Sequence, residues 1–288
     1  MQYGEYRSLW EKAKTGYKHK VPLNVDIELT SYCNLECGFC PHSNGFNDKG
    51  DMDIILAKSI VSQCIEIGVP AIKFNLRGEP TLYDFLPDLI RQAMSGGILE
   101  TMINTNANCH YEILESCLES GLSKMIISLD SNSQYTYDSI RGGNYFKVVS
   151  NIEKLSEKYG NRLKVQFVEN SVNRHESDDF NSKWQTIGVE TRISKCTDRG
   201  GALGDKLSGK RKYCGQPTQR LAILYDGTVI NCCSDWNRSY PIGDANYQTI
   251  FTIWHSMKSN QLIADLLSGK HNDYGHCKNC FCIESYSG

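Results

Sequence analysis

Thirteen cysteines, most of them crowded into two separated groups, constrain this 288-residue chain more than any other feature. Residues 1–20 read as polar rather than as a secretory leader, so a compartment where disulfides persist is not expected. An odd count also leaves at least one thiol unpaired. Metal or cluster ligation is therefore the reading that the cysteines favour. The formal charge of −2, from 31 Lys+Arg and 33 Asp+Glu, argues against a nucleic-acid binder held by bulk charge. Each apolar run falls short of the roughly 18 residues that a membrane span needs. The expectation is a cytoplasmic chain of one large or two modest domains, with neither nucleic acid nor membrane as partner.

From Leu23 to about Ser194, short apolar runs alternate with amphipathic stretches. Strands are expected at Asn24–Leu29, Ala71–Leu76, Glu100–Asn104, Met125–Leu129, Leu163–Val168 and Glu190–Ile193. Helices are expected at Ile54–Ile67, Phe85–Ser95, Tyr111–Ser120, Tyr145–Lys158 and Asp178–Ile187. Crossovers of this length imply parallel strands, hence a doubly wound sheet or a barrel, with ligands at the C-terminal strand ends. After Cys196 the texture changes. Residues 197–219 read as a linker or long loop, and Asp226-Gly227 between two apolar runs signals a tight hairpin. Short helices follow near Ile250–Ser256 and Gln261–Leu267.

The first cysteine group, Cys33-Asn-Leu-Glu-Cys37-Gly-Phe-Cys40, comes directly after the first expected strand. Three thiolates this close can wrap one [4Fe–4S] cube, which normally takes four. One iron then stays open to an exogenous ligand, and an open metal site usually means chemistry. A zinc knuckle or a set of free thiols is the structural alternative.

Here the chain resembles the radical S-adenosylmethionine (SAM) superfamily, whose signature is Cys-x3-Cys-x2-Cys after the first strand of a partial (β/α)6 barrel. The resemblance runs over essentially the whole chain. It implies a radical-SAM [4Fe–4S] cluster on Cys33, Cys37 and Cys40, with SAM on the open iron. Arg77-Gly78-Glu79-Pro80 is similar to the family's Gly-Gly-Glu-Pro motif, with Arg in place of the first Gly; Gly78 and Glu79 are thereby implied to hold the SAM amino group. Phe39 stands where the family places an aromatic beside the adenine. Thr105, Asn106, Ser128 and Arg141 match positions that contact the SAM ribose and carboxylate. One electron from the reduced cluster would cleave SAM to methionine and a 5′-deoxyadenosyl radical, which takes a hydrogen atom from substrate.

The second group resembles the C-terminal extension of SPASM/Twitch enzymes: Cys214, then Gly227-x4-Cys232, then Cys277-x2-Cys280. The short tail favours the Twitch form, with one auxiliary [4Fe–4S] cluster on Cys214, Cys232, Cys277 and Cys280 acting in electron transfer; a structural zinc or cluster is the alternative. Cys233 and Cys282 are adjacent substitutes for these ligands. Cys64 and Cys117 read as small core residues. Cys109 and Cys196 follow strand ends, where a thiol could donate a hydrogen atom to a substrate radical. The histidines show no metal-binding spacing with one another.

The expected fold is thus α/β: a partial (β/α)6 TIM-like barrel over 23–196, after an N-terminal extension (1–22), and a small β-hairpin/helix iron–sulfur domain over 197–288. The expected activity is oxidation of a small hydroxylated molecule (sugar, aminocyclitol or nucleotide), with electrons from a flavodoxin- or ferredoxin-type donor. A peptide-modifying or epimerising radical enzyme is the second expectation. A non-enzymatic iron–sulfur or zinc protein is the third.

Overall fold

A computed structural model describes residues 1–196, 214–278 and 280 of the chain. The linker reading over 197–213 and Cys282 lie outside the described residues. Helix α1 (Tyr3–Ala13) is followed by β1 (Asn24–Ile27), α2 (Ile54–Ile67), β2 (Ala71–Lys73), α3 (Leu86–Ser95), β3 (Glu100–Thr105) and α4 (Tyr111–Glu119). Next come β4 (Lys124–Ser128), α5 (Gln134–Ile140), α6 (Tyr145–Tyr159), β5 (Leu163–Glu169), α7 (Ser177–Thr186) and β6 (Glu190–Lys195). The C-terminal part holds α8 (Gln216–Gln219), β7 (Arg220–Ile223), β8 (Thr228–Ile230), β9 (Pro241–Asp244), α9 (Ile250–Trp254), α10 (Met257–Leu267) and α11 (Gly275–Lys278).

Among the described residues the nine strands belong to one sheet of order β6-β5-β4-β3-β2-β1-β7-β8-β9. The first six are parallel and lie in sequence order, with no reversal of the winding direction. A doubly wound sheet needs such a reversal, so this order decides for the barrel-like alternative. Closure is prevented because β7 pairs with the free edge of β1, parallel and in register from Asn24↔Arg220 to Ile27↔Ile223. The hairpin therefore extends the barrel sheet directly.

Alternation along β1 explains both faces. Val25, Ile27 and Leu29 enter a large apolar core with Ala57, Ile60, Val61 and Cys64 of α2. Asn24, Asp26 and Glu28 are also buried, on the opposite, polar face. Helix α2 matches its expected bounds because both ends are chemically marked. Asp53 caps the N-terminus, accepting from the Ile55 and Leu56 amides at 2.8 and 3.2 Å. Gly68 closes the C-terminus at φ 79°, a left-handed conformation that glycine adopts without steric cost.

Helix α1 has a role that the polar reading of the N-terminus does not anticipate. Its Tyr6 and Ala13 pack with Leu23, Ala71 and Met102, at or near the starts of β1, β2 and β3. It thus covers the N-terminal end of the barrel and leaves the C-terminal strand ends for a site. Among the described residues, no helix is long and apolar enough to cross a membrane.

Asp53→Ala should cost about 1 kcal/mol through loss of the cap, and Ile60→Ala about 2–5 kcal/mol through the cavity it leaves. Urea unfolding should show lower midpoints with unchanged slopes; equal stability of Asp53→Ala and wild type would contradict the capping role.

Candidate functional site

Beyond β1 the chain leaves the sheet in a loop, residues 31–51, that carries the first three cysteines. Its base is pinned by a Thr30–Asp51 bridge and by reciprocal Ser31–Gly50 hydrogen bonds. Gly78 lets the next strand end lie against this loop, since a Cβ there would meet the Thr30 carbonyl oxygen at 2.2 Å. The following amide, Glu79 N–H, donates to the Tyr32 carbonyl at 2.8 Å. Glycine is required at this point by close backbone approach.

Around the loop, a residue just past β3 and the residue that closes α5 supply donors to sulfur. Asn106 Nδ2 stands 3.9 Å from Cys33 Sγ, and Arg141 Nη1 stands 3.7 Å from Cys37 Sγ. Arg141 is buried, ion-paired with Asp130 and lies over the Phe39 ring, 5.3 Å from its centroid. Asp130 adopts φ 61° and also accepts from the Val168 amide at 2.6 Å. Burial pushes the Cys33 thiol up to about 11, with Glu79 and the other two thiols adding to it. Burial likewise raises Cys37, against the opposing pull of Arg141. Two buried thiols, Cys33 and Cys37, that resist ionisation on their own fit a cationic iron–sulfur group, which supplies the missing positive charge. Among the described residues no three His, Cys, Asp or Glu side chains converge as they would on a single metal ion.

Glu79 is buried, and burial raises its pKa. Its carboxylate accepts from Thr105 Oγ1 at 2.6 Å, Thr81 Oγ1 at 2.7 Å and the Asn106 amide at 2.8 Å. Thr105 and Asn106 therefore hold Glu79 beside the cysteine loop. Ser128 is half-exposed at the end of β4. The two remaining thiols separate: Cys196 is half-exposed directly after β6, whereas Cys109 is buried in the apolar core beside Thr81. Glu79 adds to the rise that burial gives the Cys109 thiol, which sets Cys109 near the Glu79 carboxylate.

Arg77, the departure from the glycine motif, is the residue whose importance the sequence conceals most. Its guanidinium is buried and makes two 2.6 Å contacts with Glu28, one of 2.8 Å with Asp48 and one of 3.3 Å with the Trp236 carbonyl. It also lies 4.9 Å from the Phe46 ring centroid. Burial works against its charge, but Glu28 and Asp48 prevail and its pKa is raised. Asp48 in turn accepts from Tyr225 Oη at 2.9 Å and pairs with Arg238 at 2.6 Å. His42 Nε2 donates to the Arg77 carbonyl at 2.8 Å, and its ring packs with Phe46 and Trp236. One cation thus joins β1, the cysteine loop and the segment that follows Cys232.

The second cysteine group lines one pocket, partly open to solvent, with Cys214, Cys232, Cys277 and Cys280 beside Pro217, Leu266, His271 and His276. Cys214 stands just before α8, whose Thr218 and Gln219 side chains hydrogen-bond to the Ala13 and Trp10 carbonyls of α1. Cys232 follows β8. Cys277 lies in α11, and the Cys280 amide donates to its carbonyl at 3.1 Å. The Cys232 thiol is pushed far up by its contact with Cys233, by burial, and by Cys214 and Cys280. Cys233 is not among the cavity-lining residues; its charged neighbours are Arg220, Asp26 and Lys73. A donor set of four thiols around one pocket fits an iron–sulfur cluster.

The two histidines here escape a spacing search because they gain meaning only from the fold. His276 is anchored: Ser239 Oγ donates to Asp235 at 2.7 Å, so it accepts from His276 Nδ1 at 2.9 Å. Burial lowers the His276 pKa, against Asp235. His271 is 6% exposed, and its Nε2 is buried without a hydrogen-bond partner among the described residues.

Comparison with known proteins agrees with this geometry. Residues 27–168 match the family model for the radical SAM superfamily, and residues 214–281 match the iron–sulfur cluster-binding domain SPASM. The chain is 25% identical over 267 residues to S-adenosyl-L-methionine-dependent 2-deoxy-scyllo-inosamine dehydrogenase of Niallia circulans, covering 89% of this chain and 91% of that one. It is 35% identical over 148 residues to a probable GTP 3′,8-cyclase of Sulfolobus acidocaldarius, covering 50% and 46%. Similar solved folds include BtrN in complex with AdoMet and 2-DOIA (TM-score 0.67, 19% identity, covering 93% and 96%). Streptococcus suis SuiB bound to precursor peptide SuiA is another (TM-score 0.69, 16% identity, covering 96% and 74%).

The Arg77 network makes a pH-dependent prediction. The Asp48 pKa is held down, burial notwithstanding, by Arg77, Tyr225 and Arg238. Its ionised form therefore stabilises the fold above the ordinary Asp value of about 3.9, and that stabilisation is lost as pH falls through the lower folded value. Urea unfolding should find Asp48→Asn weaker than wild type at pH 7, with the gap closing below about pH 4. A gap independent of pH would contradict the charge-based role. Glu28→Gln, which strips one partner from the buried pair, should cost about 3–5 kcal/mol.

Proposed function

This chain belongs to the SPASM/Twitch branch of the radical SAM superfamily and is a radical SAM enzyme, and from that premise we propose that it oxidises a hydroxyl-bearing carbon of a small polar molecule. A sugar, an aminocyclitol or a nucleotide is the substrate class. The observation that carries the reading is the pairing of two unlike thiol sites on one sheet: one with three cysteines, the other with four. Its cofactors are a [4Fe–4S] cluster with SAM and an auxiliary iron–sulfur cluster. The three-cysteine site supplies, with its cluster and SAM bound, the 5′-deoxyadenosyl radical that removes hydrogen from substrate.

The chain's own residues account for the rest. Cys33, Cys37 and Cys40 hold the first cluster, and the Asn106 and Arg141 N–H groups steady the first two thiolates. Gly78 and Glu79 serve the SAM amino group, with Thr105 and Asn106 fixing the Glu79 carboxylate. Phe39, Ser128 and Arg141 line the same strand ends. The substrate carbon gives up a hydrogen atom, then its hydroxyl gives up a proton and the radical gives up one electron, leaving a carbonyl. In this reading the electron goes to the auxiliary site on Cys214, Cys232, Cys277 and Cys280. Four protein ligands leave no place there for direct substrate binding.

A hydroxylated substrate suits the polar face of the sheet, where Asn104 presents a buried Oδ1 without a hydrogen-bond partner and receives Asn75 Oδ1 on its amide at 2.8 Å. The full-length similarity to a dehydrogenase supports the same choice. A flavodoxin- or ferredoxin-type protein would deliver the first electron. The second reading, epimerisation or peptide modification, draws on the half-exposed Cys196 after β6; Cys196→Ala should then abolish product while leaving SAM cleavage intact.

Anaerobic reconstitution should load about eight irons, four per cube. Cys37→Ala and Cys277→Ala should each lose about four. Cys37→Ala should form no 5′-deoxyadenosine, whereas Cys277→Ala should still cleave SAM yet give no oxidised product. One oxidised carbon per SAM, with deuterium passing from substrate into 5′-deoxyadenosine, supports dehydrogenation. A full yield of oxidised product from Cys277→Ala would sink the proposed acceptor.

A further inference from the structure

The auxiliary cavity contains more than its four thiols require. Two imidazoles, His271 and His276, line it together with Cys214, Cys232, Cys277 and Cys280, and both are more than nine-tenths buried. Their ring nitrogens are in different situations. His276 spends its Nδ1–H on Ser239 Oγ, because that hydroxyl's own hydrogen is committed to Asp235. In that neutral tautomer the His276 Nε2 has only a lone pair. His271 Nε2, in contrast, is fully buried and has no hydrogen-bond partner among the described residues. The remaining walls, Pro217 and Leu266, offer no side-chain acceptor.

The position of His271 is firmly held. It begins a short 3-10 turn (His271–Asp273) just after α10, where the Lys270 amide donates to the Asp265 carbonyl at 2.9 Å and the Tyr274 amide donates to the His271 carbonyl at 3.3 Å. Tyr274 packs with Leu262 and Leu266 of α10 and donates through its hydroxyl to Asp265 at 2.8 Å. The ring is thus carried on a fixed turn between α10 and the helix that bears Cys277. A buried ring nitrogen left unmatched is costly, and native structures rarely retain one. The acceptors that a cluster would bring into this cavity are sulfides and thiolates.

We infer that His271 donates its Nε2–H to a sulfur of the auxiliary cluster and thereby raises that cluster's reduction potential. The donor is a positioning residue: it touches the cluster's sulfur shell and supplies no iron ligand, since four thiols already serve. A hydrogen bond to cluster sulfur stabilises the more negative, reduced state, so it favours electron acceptance. This inference rests on the cavity being the auxiliary-cluster site; the oxidation it would assist is that proposed above.

The test uses the full chain carrying Cys33→Ala, Cys37→Ala and Cys40→Ala, so that only the auxiliary cluster is read. Binding of about four irons in this background establishes the cavity as the cluster site; no iron there overturns the site assignment itself, and the inference with it. With the cluster present, His271→Leu should lower the reduced fraction about tenfold at a fixed potential near the midpoint, a shift of about 59 mV for one electron. His271→Gln, whose amide keeps an N–H, should recover most of it. Pulsed EPR of the reduced wild type should show an exchangeable proton coupling that is lost in His271→Leu. Equal midpoints for wild type and His271→Leu at equal iron content would overturn the role. So would a strong nitrogen coupling of a directly ligated imidazole. If His271→Leu loses its iron, the glutamine variant decides: retained cluster near the wild-type potential supports the donor, and lost cluster overturns it.

Discussion

The buried Arg77 guanidinium is the interaction on which the rest of this molecule depends. It lies just beyond β2, at the first position of the Arg77-Gly78-Glu79-Pro80 motif, and it reaches three separate parts of the chain. Glu28 fixes it to β1, Asp48 to the cysteine loop and the Trp236 carbonyl to the segment after Cys232. Low dielectric makes each of these contacts strong and makes the loss of any one partner expensive. Two thiol sites far apart in sequence are thereby set in one frame.

That frame has a chemical use. In the oxidation proposed above, radical formation and electron withdrawal must be coordinated in space, because a substrate radical that waits too long will find an unintended partner. Sheet pairing between β1 and β7 fixes the coarse geometry. Arg77, Asp48, Tyr225 and Arg238 tie down the loops above it. The covered bottom of the barrel, under α1, leaves the strand tops as the working end.

Much of this was legible from periodicity and spacing. Helix α2 ran as expected because an Asp cap and a Gly stop bracket a clear apolar stripe. Both cysteine groups could be read because ligand spacing is a local property. The elements that escaped share a different character. Strand β9 begins with Pro241 and contains Gly243, two residue types depleted in strands, and it pairs with β8 through a register irregularity. Helix α1 buries aromatic rings among charges, a stripe too sparse to stand out. The partners of Arg77 and the orphan nitrogen of His271 arise from contacts across the fold, and no local pattern encodes them.

Joining residue 24 to residue 220 also sets the order of events as the chain is made. One edge of β1 has no strand beside it until the C-terminal hairpin leaves the ribosome. An unpaired central-type strand is a template for intermolecular pairing, and such long-range closure is slow. The N-terminal helix waits as well, because α8 docks on it through Thr218 and Gln219. Aggregation of nascent chains should therefore concentrate at the β1 edge, and a truncation before β7 would leave the barrel sheet exposed along that edge however complete its own six strands were.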